Sequence, residues 1–135
     1  MESKTPKILH PLGGQPVLLH LVRTVLMLKP NATGIVVGSS ARQVQQTITS
    51  GLTTKNLSFI QQSRPMGSGH AVRESSAFLK RFEEVLILCG DTPLLSFETL
   101  FQMLQSQGTM LLSMWLMIVI FQASLFLILC QAPLN

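Results

Sequence analysis

The segment Leu86-Ile87-Leu88-Cys89-Gly90-Asp91-Thr92-Pro93 constrains the fold more than any other part of the chain. A short apolar run breaks off at Gly-Asp and then at a proline turn, the pattern of a buried strand in a parallel sheet. Such a strand delivers one carboxylate to the carboxyl end of the sheet, where open α/β folds bind their ligands. A lone aspartate beside a glycine at that place suits Mg²⁺ held against a phosphate. It also suits a plain Asp-started turn with no ligand at all.

The neighbouring sequence supplies the rest of an α/β sheet. Apolar residues recur at helical spacing over Pro16 to Leu28, and Pro30-Asn31 stops that helix. Thr33 to Gly38 reads as a short buried strand, followed by a helix over Ala41 to Ile48 that Ser40 caps and that ends near Gly51. Leu57 to Gln61 is a second strand, Gln62 to Ser68 a loop, Gly69 to Phe82 a helix and Val85 to Leu88 a third strand. Ser96 and Glu98 open a further helix as cap and first-turn acid. Strand, helix, strand, helix, strand is the order of a parallel α/β sheet.

Charge excludes some functions. The chain carries a net +4, but its lysines and arginines are scattered, with no basic helix or arginine-rich arm, which argues against a nucleic-acid partner. A small polyanion such as a nucleotide needs only one or two cations. Two cysteines, Cys89 and Cys130, both in apolar runs, fit buried thiols in a reducing, cytoplasmic setting, and no secretory signal opens the chain.

Composition changes near the end. No charged residue follows Glu98, and Met110 to Cys130 is nearly all apolar, which divides the chain into residues 1–107 and a tail, 108–135. About 20 such residues are long enough to span a bilayer as a helix. The same run also fits very apolar core elements, or sequence translated out of frame. The anchor reading lacks flanking Lys or Arg, and the core reading lacks turn residues and a period.

Two further segments carry candidate chemistry. Lys7 stands in Pro6-Lys7-Ile8-Leu9-His10-Pro11-Leu12-Gly13-Gly14, a loop in which a fixed ammonium can meet phosphate as a point charge, or simply be solvated. Gln62-Ser63-Arg64-Pro65-Met66-Gly67-Ser68-Gly69-His70 joins a strand to a helix. Its glycines allow close approach of backbone to a ligand, and Gln62 carries both donor and acceptor for the edge of a base. The three histidines, His10, His20 and His70, lack metal-site spacing, no nucleophile with an adjacent base is present, and Cys89 reads as a small hydrophobe.

Taken together, Ser3 through Leu18, Gln62 through Ala71 and Leu88 through Leu94 resemble, in order and spacing, the uridyltransferase domain of the bacterial bifunctional enzyme that makes UDP-N-acetylglucosamine. The resemblance covers about Met1 to Gln107. It implies a Rossmann-like nucleotidyltransferase fold, a three-layer α/β sheet. The implied reaction joins UTP and N-acetylglucosamine 1-phosphate, with Mg²⁺, and releases pyrophosphate. It assigns Lys7 to the nucleotide phosphates as the catalytic lysine, Gln62 to uracil, Gly67 and Ser68 to the nucleoside, Gly90 to the sugar nucleotide and Asp91 to Mg²⁺.

The departures are equally specific. The family's first strand, which lies at the centre of the sheet, and its glycine-rich phosphate loop precede the position at which this sequence starts. Ser68 stands where the family has threonine, and Cys89 where it usually has an aromatic ring. The second metal ligand, an asparagine, has no counterpart beyond Gln107, and neither has the acetyltransferase domain through which the family trimerises. These departures predict low or absent activity for these residues alone. They also leave the strands at Ile35–Gly38 and Val85–Leu88 without a shared partner, and hence a poorly folded chain, unless the tail or a rearranged sheet fills the gap.

Overall fold

The computed structural model describes residues 5–52, 55–64, 66–92 and 94–105, and the backbone of 125–133. A 3-10 turn, Lys7–Leu9, leads into a hairpin of β1 (Pro11–Leu12) and β2 (Gln15–Pro16). Then follow α1 (Val17–Met27), β3 (Ala32–Val37), α2 (Ala41–Gly51), β4 (Leu57–Gln61), α3 (Ser68–Glu74) and α4 (Ser76–Leu79). The last elements are β5 (Phe82–Cys89), α5 (Phe97–Gln105) and β6 (Leu125–Pro133).

The main sheet has four strands in the order β4-β3-β6-β5. β3 and β4 are parallel, and β6 runs antiparallel to both β3 and β5. It follows that β3, β4 and β5 all point the same way, as the sequence predicts. The vacancy expected between β3 and β5 is filled by the tail: Val36 and Cys89 both have Phe126 as register partner, one on each side. Pairing with β6 on both sides satisfies backbone groups of β3 and β5 that would otherwise be orphaned. The bilayer-length run at 110–130 therefore ends as sheet, and its residues 110–124 lie outside the described residues. No helix among the described residues is long and apolar enough to cross a membrane.

Helices cover both faces, giving three layers. Ile35 and Val37 point into a core made with Leu18, Leu21, Val22 and Val25 of α1, Val44 and Ile48 of α2, Leu86 and Leu88 of β5 and Leu100 of α5. Val36 points the other way, onto Ala71, Ile60, Phe78, Leu79 and Phe82. The alternation is the period of a strand, and both faces of β3 are buried because both are covered. Gly34 shows how closely the second layer packs: a Cβ there would lie 3.0 Å from the Phe78 ring.

Two local expectations change. The helix predicted over residues 69–82 is broken at buried Ser75, whose hydroxyl donates to the Ala71 carbonyl at 2.8 Å, a back-bond that competes with regular helix. Its last residue, Phe82, belongs instead to β5, which is longer than Val85–Leu88 because β6 pairs along its whole length. Ser40 precedes α2 without a side-chain cap, whereas Ser96 Oγ does accept from the Thr99 N–H, at 3.2 Å.

Candidate functional site

Parallel strands end together, and here that edge gathers the sequence's candidate residues. Val37 pairs with Gln61, so Gly38 and Gln62 leave the sheet side by side. Cys89 lies one residue short of the same row, so Gly90 and Asp91 leave β5 at that edge too. Gln62 and Asp91 are separated there by three strand spacings, about 14 Å. Between them at this edge stands the start of β6, whose Leu125 is the register partner of Val37.

Asp91 is half-buried, and its Oδ1 is enclosed without a hydrogen-bond partner among the described residues. An enclosed, unpaired carboxylate oxygen is costly unless something charged completes it. The turn that holds it is fixed by Thr92 Oγ1, which donates to the Cys89 carbonyl at 2.7 Å. Cys89 is exposed and not the buried thiol expected, yet what burial it has, and secondly the Asp91 carboxylate, push its thiol above the ordinary value. Gly90, between the two, is buried. No cluster of three or more side chains able to hold a metal ion exists among the described residues.

Across the edge, Gln62 is only 4% exposed. Its backbone N–H donates to the Val37 carbonyl at 2.8 Å, which ties it to the end of β3. Its side-chain nitrogen lies 3.0 Å from His70 Nδ1 and 3.5 Å from the Gly67 carbonyl. His70 in turn faces Glu74, one helical turn on, with 3.6 Å between Nε2 and Oε1. Gly67 has φ +89° and ψ −178°, a backbone state essentially confined to glycine, and it opens α3 with Ser68 exposed beside it.

Sequence reasoning did not single out His70 and Glu74 as partners of Gln62. The spacing of four along a helix was the available signal, since it puts two side chains on one face.

Lys7 is placed differently. Its turn is anchored by Ile8 and Leu9, which pack on the core, and by the hairpin, where Gly13 and Gly14 have φ +60° and +83° as a tight I′-type turn requires. The hairpin is bound to α1 through His20 Nε2 and the Leu12 carbonyl at 2.8 Å, and through Arg23 donating to Gln15 Oε1. The Lys7 residue is exposed and forms no ion pair with a carboxylate among the described residues. No hydrogen bond there joins it to Gln62 or Asp91.

The chain is 42% identical over 108 residues to the bifunctional protein GlmU of Stutzerimonas stutzeri (strain A1501), covering 80% of this chain and 23% of that protein. It is 42% identical over 106 residues to the GlmU of Coxiella burnetii (strain CbuG_Q212), covering 78% and 22%. To that of Xanthomonas oryzae pv. oryzae (strain MAFF 311018) it is 38% identical over 110 residues, covering 82% and 24%. The chain thus spans about a quarter of the length of these relatives. The family model for the MobA-like NTP transferase domain matches residues 1–112, which takes in Lys7, the Gln62 loop and the Asp91 turn, and the chain belongs to that family.

Proposed function

We propose that the carboxyl edge of the sheet binds a uridine nucleotide with Mg²⁺, as the nucleotide half of a site that makes UDP-N-acetylglucosamine from UTP and N-acetylglucosamine 1-phosphate. The observation that carries this reading is the enclosed Oδ1 of Asp91 at a strand tip, without a partner among the described residues, on the same sheet edge as the buried amide of Gln62. Mg²⁺ takes one or two carboxylates and completes its shell with water and substrate phosphate, so a single aspartate fits it. When bound, the ion neutralises charge that develops on the phosphate oxygens.

The chain's own residues position the reactants. Gln62 reads the base, and Gly67 and Ser68 form the lip over the nucleoside. Gly90, buried and without a side chain, leaves room for the sugar nucleotide beside Asp91. Lys7 supplies a point charge to the phosphates from its anchored turn. A phosphate oxygen of the sugar phosphate attacks the α-phosphorus of UTP in line and pyrophosphate leaves, a reaction that depends mainly on positioning and charge stabilisation.

Calorimetric titration of the 135-residue chain with UTP and UDP-N-acetylglucosamine in Mg²⁺ tests the reading. Both are expected to bind, and ATP and ADP-glucose to bind more weakly. Equal binding of all four, or none, contradicts it.

A further inference from the structure

We propose that His70, held by Glu74, is a positioning residue that sets which end of the Gln62 amide faces the nucleotide base. The inference rests on the uridine-nucleotide reading above and adds the source of its base preference.

The hydrogen-bond chemistry allows one consistent arrangement. The Gly67 carbonyl can only accept, so the group of Gln62 that faces it is the NH₂. That same nitrogen lies 3.0 Å from His70 Nδ1 and can only donate to it. Nδ1 must then be the unprotonated, accepting nitrogen, and the proton of the neutral ring sits on Nε2. Nε2 is the nitrogen that faces the Glu74 carboxylate, at 3.6 Å, where a negative charge favours an N–H. Each contact thus requires the next, from Glu74 to His70 to Gln62.

With both amide hydrogens directed at protein acceptors, what Gln62 has left for a ligand is Oε1, which accepts no hydrogen bond among the described residues. A free carbonyl oxygen pairs with an N–H donor. Uracil offers one at N3, whereas cytosine presents a lone pair at the same place. The network therefore favours a uracil base and sets a lone pair against cytosine. Burial makes it stiff: Gln62 is 4% exposed and the His70 side chain 10% exposed. A Gln62 amide left free to turn would offer NH₂ or oxygen equally and would tell the two bases apart poorly.

The test compares UMP and CMP binding to the full chain by calorimetry. Wild type is expected to prefer UMP by about tenfold or more, the usual scale for leaving one buried polar group unpaired. His70→Leu removes the acceptor and is expected to bring the two affinities within about threefold, again on that scale. His70→Asn returns an acceptor, Oδ1, near the place of Nδ1 and is expected to restore the preference. A His70→Leu protein that still prefers UMP tenfold overturns the proposal.

The imidazole ¹⁵N spectrum of the wild type decides the network without any nucleotide or variant. An Nε2–H tautomer supports the proposal and an Nδ1–H tautomer overturns it. Absence of UMP binding by wild type would instead count against the uridine-nucleotide reading itself.

Discussion

Ile128 of β6 is the register partner of Ile87 of β5, so a residue of the uncharged tail sits in the middle of the sheet. On its other side Ile128 meets Gly34 of β3. This central place makes the tail a structural requirement of the domain. Ile128→Pro removes a backbone N–H from a strand with a neighbour on each side, where proline is not tolerated. The unpaired group across from it costs about 1–3 kcal/mol. Against a total of about 5–15 kcal/mol, circular dichroism is expected to show a melting point lowered by several degrees or a lost cooperative transition. An unchanged melt would place the tail outside the sheet.

Asp91 and its unpaired Oδ1 give a variant with opposite effects on stability and on ligand response. Asp91→Asn removes a charge that has no partner among the described residues, so stability without ligand is expected to stay equal or rise slightly. The rise in melting point caused by Mg²⁺ with UTP, a mass-action effect, is expected to vanish. Destabilisation of the ligand-free protein, with the Mg²⁺ response retained, would show that the carboxylate serves the turn and not a metal.

Cys89 supplies a pH dependence. Partial burial and then Asp91 raise its thiol above the ordinary value of 9.0, so the folded chain holds this proton more tightly than the unfolded one. Stability from this group is fully present below pH 9.0 and falls as pH rises through the folded value. Alkylation by iodoacetamide, which needs the thiolate, is expected to be slower at pH 8 than that of a free thiol, and faster in Asp91→Asn. A rate equal to that of a free thiol would contradict the environment described.

Two glycines of one loop are expected to behave oppositely. Gly67 sits at φ +89°, and nothing lies within 4 Å of the place of a Cβ, so Gly67→Ala suffers from backbone conformation alone. The expected cost is about 1–3 kcal/mol, with loosening of the carbonyl that faces Gln62. Gly69 lies inside α3 with equally open space, and Gly69→Ala is expected to be neutral or to stabilise by about 0.5–1 kcal/mol. Chemical denaturation of the two variants checks the difference, and equal costs would contradict it.

Much of this was legible in the residues. The apolar run that stops at Gly90-Asp91 declared a strand, though β5 is an edge strand with Val85, Ile87 and Cys89 exposed and not the buried one expected; the alternation of periods declared an α/β layer structure. Gln62 and Asp91 were readable as candidates because each closes a strand. The partnership of Gln62 with His70 was not, because a loop separates them and the contact exists only once Gly67 turns the chain. Nor was the place of β6: Leu125 to Pro133 has no apolar–polar alternation, so nothing local distinguished strand from helix. The break at Ser75 was hidden for a different reason. A serine within a helical pattern signals a bend only when burial forces its hydroxyl onto the backbone.

The proposed nucleotide cleft is lined by residues following β4 and β5 and by the Lys7 turn. Titration of ¹⁵N-labelled protein with UTP and Mg²⁺, followed by ¹H–¹⁵N correlation spectra, tests it directly. The Gln62 side-chain amide and the Gly67, Ser68, Gly90 and Asp91 backbone amides are expected to shift together and saturate with a single Kd, with the amide of Lys7 moving in step. Shifts at Gly67 and Ser68 that saturate without any change at Gly90 and Asp91 would contradict the claim.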